Sequence, residues 1–322
     1  SSDLPERPGV SFPSSPCGAT PMQQSEPSAA RTPETVKVVK THALPAIPLC
    51  IASADSPGVA YLGMSDFAVH RIDLGTDKPE AKLAEIRASL LELEIPAAVQ
   101  TKIQAAVKQA GLPATKDWPV AAQRIKQVWA SKWNDRAFFS RQARGFPHDA
   151  VQMAVLIQGV VEAEFAFVIH TVNPFSGNRD EVYAEVVLGL GETLVGNYPG
   201  RALSFVCPKK GGTPTLLAYP SKSIGLFGGG LIFRSDSNAE DLEGYAGAGL
   251  YDSVLLAEPR EVTLDYTQQA LVWNVAKRAD LLSKVARIGE TVEAAFGAPQ
   301  DIEGAFSGGE FFVVQTRPQV GL

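Results

Sequence analysis

The sequence predicts an α+β protein with a helical subdomain in its first half, a strand-rich region behind it and a disordered tail in front. Three observations carry this. Residues 79–142 repeat apolar side chains at helical spacing. From residue 150 onward, apolar and β-branched runs alternate with turn signals. Residues 1–58 are rich in Ser, Pro and Ala, with no apolar periodicity before Val36. The expected units are therefore 1–58, a linker or tail; 59–148, the helical subdomain; and 149–322, the strand-rich region.

The tail composition buries too little apolar surface to offset the entropy of ordering. It carries neither the arginine bias of a transit peptide nor the apolar core of a secretory signal. A start at Ser1 instead of Met reads as a fragment or a processed form. Over the 322 residues, 45% hydrophobic and 20% charged residues make an ordinary globular balance. A net charge of −6 without a Lys/Arg block argues against a nucleic-acid partner. Cys17, Cys50 and Cys207 are too scattered for a disulfide framework or a metal site, and fit a reducing compartment. No apolar run reaches the ~18 residues of a membrane span. The nearest, Met153 to Val161, is interrupted by Gln158.

In the helical subdomain, Pro79 opens a run of Leu83, Ile86, Leu90 and Leu93 at helical spacing. Pro96 opens a second helix, which Gly111 closes at C′. Asp117 caps a third, with Ile125, Val128 and Trp129 as its apolar stripe. Trp118, Trp129 and Trp133 read as one packed cluster, and Lys126, Lys132, Arg136, Arg141 and Arg144 as mostly solvated. Beyond residue 150, strands are expected over Val151–Val161, Phe165–Val172 and Val182–Leu188, with Asn173 to Asn178 as a turn. His170 reads as a satisfied sheet histidine. Gly189-Leu190-Gly191-Glu192 is either a tight turn or a loop whose backbone approaches a ligand, with a short helix starting at Glu192. Leu231 to Phe233 begins a strand that becomes a polar loop at Arg234-Ser235, followed by a glycine-rich segment to Gly249. Such a loop can cradle phosphates; it is equally read as a surface loop with an arginine–carboxylate pair. A short strand over Asp252–Leu256 and one helix over 264–295 follow.

The chain closes on a hairpin, Asp301-Ile302-Glu303 … Gln315-Thr316-Arg317-Pro318, around the turn signal Ser307 to Glu310. Period-2 alternation puts Asp301 and Glu303 on one face, and Gln315 and Arg317 on one face. With an odd loop, Glu303 opposes Gln315 and Asp301 opposes Arg317. An acid pair beside an amide oxygen suits Mg²⁺, and the arginine suits a phosphate. By spacing alone the patch reads first as an exposed polar face with one surface salt bridge, ahead of a metal or phosphate site.

Taken together these residues resemble one superfamily. Arg234-Ser235 followed by Ala239-Glu240-Asp241-Leu242 and the glycines is similar to the arginine–glycine segment of the pyruvate phosphate dikinase and phosphoenolpyruvate synthase superfamily. Gly189 to Glu192 and the hairpin match the same superfamily. Val128 to Asn134, Phe167 to Thr171, Gly191 to Gly196 and Phe233 to Val254 look like the α-glucan water dikinases, a resemblance covering about residues 80–320. It implies an ATP-grasp fold that binds ATP and Mg²⁺ between two lobes. The β-phosphate would pass to a histidine on a swivelling domain, then to a glucosyl C6 hydroxyl of starch, releasing AMP and phosphate. Carried over, Glu303 and Gln315 would hold the metal, and Arg317 and Arg234 would act on the transferring phosphoryl group. Glu185, Glu192, Arg234, Ser235, Gly244, Gly247, Gly249, Asp301 and Arg317 would contact ATP, with Asp301 orienting Arg317 and the adenine hinge near Met153 to Gln158. Implied partners are the swivelling domain and an α-glucan reached through domains outside this chain, with a homodimer left open, no nucleic-acid or membrane partner, and a chloroplast location.

The chain departs from the family pattern in two places. No Gly-Ala-Lys-Ser-like segment precedes residue 80; Gly58 to Phe67 stands in its place, with Lys78 and Lys82 as substitutes. His42, His70, His148 and His170 all lack the swivelling-domain context. A related dikinase with another acceptor, phosphoglucan or pyruvate, and a non-catalytic binding remnant are the alternatives.

Overall fold

The computed structural model describes residues 49–53, 59–64, 79–115, 117–148, 150–196, 198–242, 245–246 and 249–319. All of them belong to the unit Val38–Leu322. Strands β1 (Leu49–Ser53) and β2 (Val59–Met64) come first. They fall inside segments read as tail and as helical subdomain, where Leu49-Cys50-Ile51 and Val59 to Leu62 are short apolar runs of strand length. The remainder of the predicted tail lies outside the described residues.

Four helices follow: α1 (Pro79–Leu91), α2 (Ala97–Gln109), α3 (Trp118–Ser131) and α4 (Asp135–Ala143). Their starts follow the sequence chemistry. Pro79 is the first residue of α1, Pro96 stands at the α2 N-cap, and the Asp117 carboxylate accepts from the Val120 amide at the head of α3. The three tryptophans do not form one cluster. Trp129 and Trp118 pack with the α2 and α3 aliphatics against a sheet, while Trp133 packs with Leu83, Ile86 and Phe138 between α1 and α4. The basic side chains of this layer are largely structural. Arg141 is only 1% exposed and donates to Lys132 O, His148 Nδ1 and Tyr251 Oη, while Lys126 and Lys132 Nζ donate to Leu91 O and Val151 O. Solvation was the wrong expectation for these three, whose heads find protein acceptors, whereas Arg136 and Arg144 are exposed as expected.

Next come β3 (Met153–Val160), β4 (Phe165–His170), β5 (Glu181–Leu188), a one-turn α5 (Glu192–Val195), β6 (Leu203–Pro208), β7 (Thr215–Ala218), β8 (Ile224–Phe227) and β9 (Gly230–Ser237). The two-residue strands β10 (Asp241–Leu242), β11 (Tyr245–Ala246) and β12 (Val254–Leu255) precede β13 (Arg260–Thr263), α6 (Ala270–Trp273), α7 (Val275–Phe296), β14 (Gln300–Ser307) and β15 (Glu310–Pro318). The helix expected over 264–295 is broken at Asn274, whose side chain caps α7 through the Lys277 amide. Two larger sheets organise the chain, β1-β2-β3-β9-β12 and β15-β14-β4-β5-β6-β7, antiparallel at every pairing. The first packs Val155, Ile157, Leu231 and Phe233 against α2 and α3. The second packs Phe167, Ile169, Ala184, Phe205 and Ile302 against Leu282, Val285 and Ala286 of α7. Alternation along the strands then turns Val168, His170, Tyr183, Glu185, Asp301 and Glu303 to the other face of that sheet. No helix among the described residues is long and apolar enough to cross a membrane.

Gly189 shows which reading of the GxGE segment the fold requires. Its φ is +80°, and a Cβ there would lie 2.1 Å from Leu226 O, the carbonyl that accepts from the Leu190 amide. Gly189→Ala is therefore expected to cost about 2–4 kcal/mol, from left-handed strain plus overpacking, read as a fall in Tm. A variant as stable as the parent would refute this packing role.

Candidate functional site

The hairpin pairs Asp301 with Arg317 and Glu303 with Gln315, the register the site needs. The expected odd loop is not how this arises. Ser307 pairs with Glu310 across a two-residue turn, Gly308-Gly309, whose φ values of 59° and 90° fit a type I′ geometry. Carried straight on, that even turn would oppose Glu303 with Val314 and turn Gln315 and Arg317 to the α7 face. A bulge between Glu303 and Gly304 adds the missing residue: Gly304 pairs with Val313, and Val314 is left outside the ladder. Gln158 of β3 satisfies the bulge, its Nε2 donating to Val314 O at 3.1 Å.

The side chains on this face meet in two groups. Arg317 Nε and Nη2 both donate to Asp301 Oδ2, at 2.9 and 2.6 Å, which fixes the guanidinium on a largely buried carboxylate. One strand row over, the oxygens of Glu303 and Gln315 converge on a single donor, Arg234 Nη2, with Glu303 Oε2 at 3.2 Å. Arg234 comes from β9 of the other sheet, so the pair ties the two sheets together. The strand expected to end at Phe233 runs on to Ser237, because Arg234, Ser235 and Asp236 pair in register with Leu156, Val155 and Ala154. The sheet ladder extends the rows. Glu303 neighbours Val168, then Glu185, then Ser204; Asp301 neighbours His170, then Tyr183.

The other predicted residues are placed as follows. Glu185 Oε1 accepts from Tyr183 Oη at 2.9 Å. Burial, with the Glu185 charge beside it, pushes the Tyr183 hydroxyl up to about 12, so it stays protonated and keeps donating. Glu192 is the first residue of α5. Ser235 Oγ donates to Glu240, which also accepts from the Ser237 amide, and so braces the start of the glycine-rich segment. Gly249 adopts φ +72°, whereas Gly244 and Gly247 lie outside the described residues. Met153 to Gln158 is the central strand of its sheet. Of the lysine substitutes, Lys82 pairs with Glu85 of its own helix at 2.6 Å; Lys78, and Gly58 to Phe67 apart from β2, lie outside the described residues.

Two residues at the site escaped the sequence reading. His170 is not a satisfied sheet histidine: its Nδ1 is buried without a hydrogen bond, 3.7 Å from Asp301 Oδ1. Tyr183, two residues before Glu185, shares its face, and that spacing was the available signal. Among the described residues, no three His, Cys, Asp or Glu side chains gather in a metal cluster.

Residues 120–200 match the family described as pyruvate phosphate dikinase, AMP/ATP-binding domain. The chain is 52% identical over 245 residues to the chloroplastic α-glucan water dikinase of Solanum tuberosum, covering 74% of this chain and 17% of that protein. It is 52% identical over 248 residues to α-glucan water dikinase 1 of Arabidopsis thaliana, covering 75% and 18%. A probable phosphoenolpyruvate synthase of Methanocaldococcus jannaschii is 27% identical over 194 residues, covering 60% and 14%. The chain thus spans under a fifth of the length of these relatives. Residues 120–200 are thus similar to the AMP/ATP-binding domain of pyruvate phosphate dikinase, and three quarters of the chain is similar to α-glucan water dikinases.

Proposed function

We propose that this chain is the ATP-binding part of an α-glucan water dikinase, of ATP-grasp fold, with the nucleotide phosphates held against the β14–β15 hairpin. The observation that carries this is the convergence of Glu303, Gln315 and Arg234 on one point, beside the Asp301–Arg317 pair. The donor set fits Mg²⁺: a carboxylate and an amide oxygen already aim at one cation, the Arg234 guanidinium. Glu303 and Gln315 would hold the ion from the protein side. Magnesium bound there would supply charge neutralisation on the nucleotide phosphates.

The chain's own groups do the rest. Arg234, displaced from Glu303 and Gln315, turns its donors to a phosphate oxygen. Arg317, oriented by Asp301, stabilises charge on the transferring β-phosphoryl group. Glu185 and Glu192 line the nucleotide side, and the segment ending at Gly249 covers the phosphates. In the complete protein the phosphoryl group then passes to a histidine on a swivelling domain and on to an α-glucan, in a chloroplast.

A thermal-shift series tests the reading. MgATP at ~100 times its dissociation constant should add about 2.7 kcal/mol of stability by mass action. ATP without magnesium should add much less, and Glu303→Ala should erase the difference. The absence of any MgATP shift at saturation would overturn the proposal.

A further inference from the structure

A cavity of about 230 Å³ opens on the Glu185 side of the same sheet face, where it is lined by Glu185, Ser204, Leu194, Arg201, Ala218 and Lys222. Its polar groups have unspent bonding capacity. Lys222 is only 6% exposed, yet its ammonium donates to one acceptor, Tyr198 O at 2.7 Å, and its other two N–H groups have none among the described residues. The Arg201 guanidinium, on the open rim, has no side-chain partner among the described residues. Glu185 spends one oxygen on Tyr183, whose own oxygen is hydrogen-bonded by Ser204, and its second carboxylate oxygen has no hydrogen-bond partner among the described residues. A buried ammonium with spare donors is costly unless a ligand completes it.

The mixture of signs identifies the ligand class. A bare anion would gain from Lys222 and Arg201 but meet Glu185. A purely apolar group would strand all three. A hydroxyl group donates to a carboxylate while accepting from an ammonium or guanidinium, so a ring carrying neighbouring hydroxyls satisfies every group at once. Leu194, Ala202 and Ala218 offer small apolar surfaces for the C–H faces of such a ring. We propose that this cavity is a sugar subsite. Two sources present that chemistry. Glu185 lies two strand steps from Glu303, about 10 Å at the usual strand spacing, within reach of the ribose of a nucleotide whose phosphates lie at Glu303. A glucosyl unit of an acceptor glucan is the other source. The ribose source rests on the proposed phosphate site; the glucosyl source does not.

Calorimetry on the whole chain with MgATP, with magnesium tripolyphosphate, which lacks the sugar, and with glucose and maltose separates the cases. With ribose as occupant, Lys222→Met and Arg201→Ala each weaken MgATP about tenfold and leave tripolyphosphate unchanged. With a glucosyl unit, the parent binds glucose or maltose, both variants lose that binding, and MgATP is unaffected. If Lys222→Met does not fold, Arg201→Ala on the rim and Glu185→Gln give the same readout. Variants that bind MgATP and both sugars like the parent, or that lose ATP and tripolyphosphate equally, would overturn the subsite. Failure of tripolyphosphate to bind the parent would instead strike the phosphate site, leaving the glucose and maltose titrations to decide the cavity.

Discussion

Arg317→Ala is expected to weaken MgATP binding about 100-fold, the scale of one bidentate charge-assisted contact to phosphate lost in a partly buried site. The substitution acts twice. It removes the cation, and it leaves Asp301, 14% exposed at the side chain, as an unneutralised carboxylate facing the phosphates. Losing its two donors should also cost about 1–3 kcal/mol of stability, or about 2–4 °C of Tm per kcal/mol for a chain approaching this size. Arg317→Lys keeps the charge but not the planar fork on Asp301 Oδ2, so it should fall between parent and alanine. Equal binding by Arg317→Lys and the parent would mean that orientation by Asp301 contributes nothing.

Arg234→Ala should move two ligands in opposite directions. In the structure Arg234 occupies the point where Glu303 and Gln315 aim their oxygens. Removing it takes away a resident cation, so a free divalent ion, measured with Mn²⁺ by paramagnetic resonance, should bind more tightly. MgATP should bind about tenfold more weakly, because a phosphate contact is gone. The cross-sheet tie between β9 and the hairpin is lost as well, which should lower Tm. Ion and nucleotide affinities falling together would show that Arg234 props the acids in place and does not exchange with a metal.

The parts legible in the sequence were those with local signals. Pro79, Pro96 and Asp117 marked three helix starts by their own chemistry. Alternation placed Asp301 with Glu303 on one face of β14 and Gln315 with Arg317 on one face of β15, while their cross-strand pairing was expected from an odd loop that the turn does not have. What stayed hidden depends on distant partners. Arg234 meets Glu303 69 residues further along the chain, and no local pattern announces that contact. The run Arg234 to Ser237 looks like a loop because it is polar; it is a strand because β3 supplies its ladder. The bulge at Val314 is invisible because an extra valine in a strand resembles any other strand residue, and only Gln158 marks the freed carbonyl. Strands β7, β8 and β13 are four residues each, too short to show a period. His170 and Tyr183 became site residues only when β4 and β5 were seen beside Asp301 and Glu303.

The central claim is that the hairpin face, through Glu303, Gln315, Asp301 and Arg317, holds the magnesium–phosphate end of ATP. Calorimetric titration of MgATP into the parent, Glu303→Ala and Arg317→Ala tests it most directly. The account predicts one site in the parent and a loss of about 100-fold in each variant, with circular dichroism confirming that both remain folded. Binding as tight as the parent's in both folded variants would contradict it and place the nucleotide elsewhere on the chain.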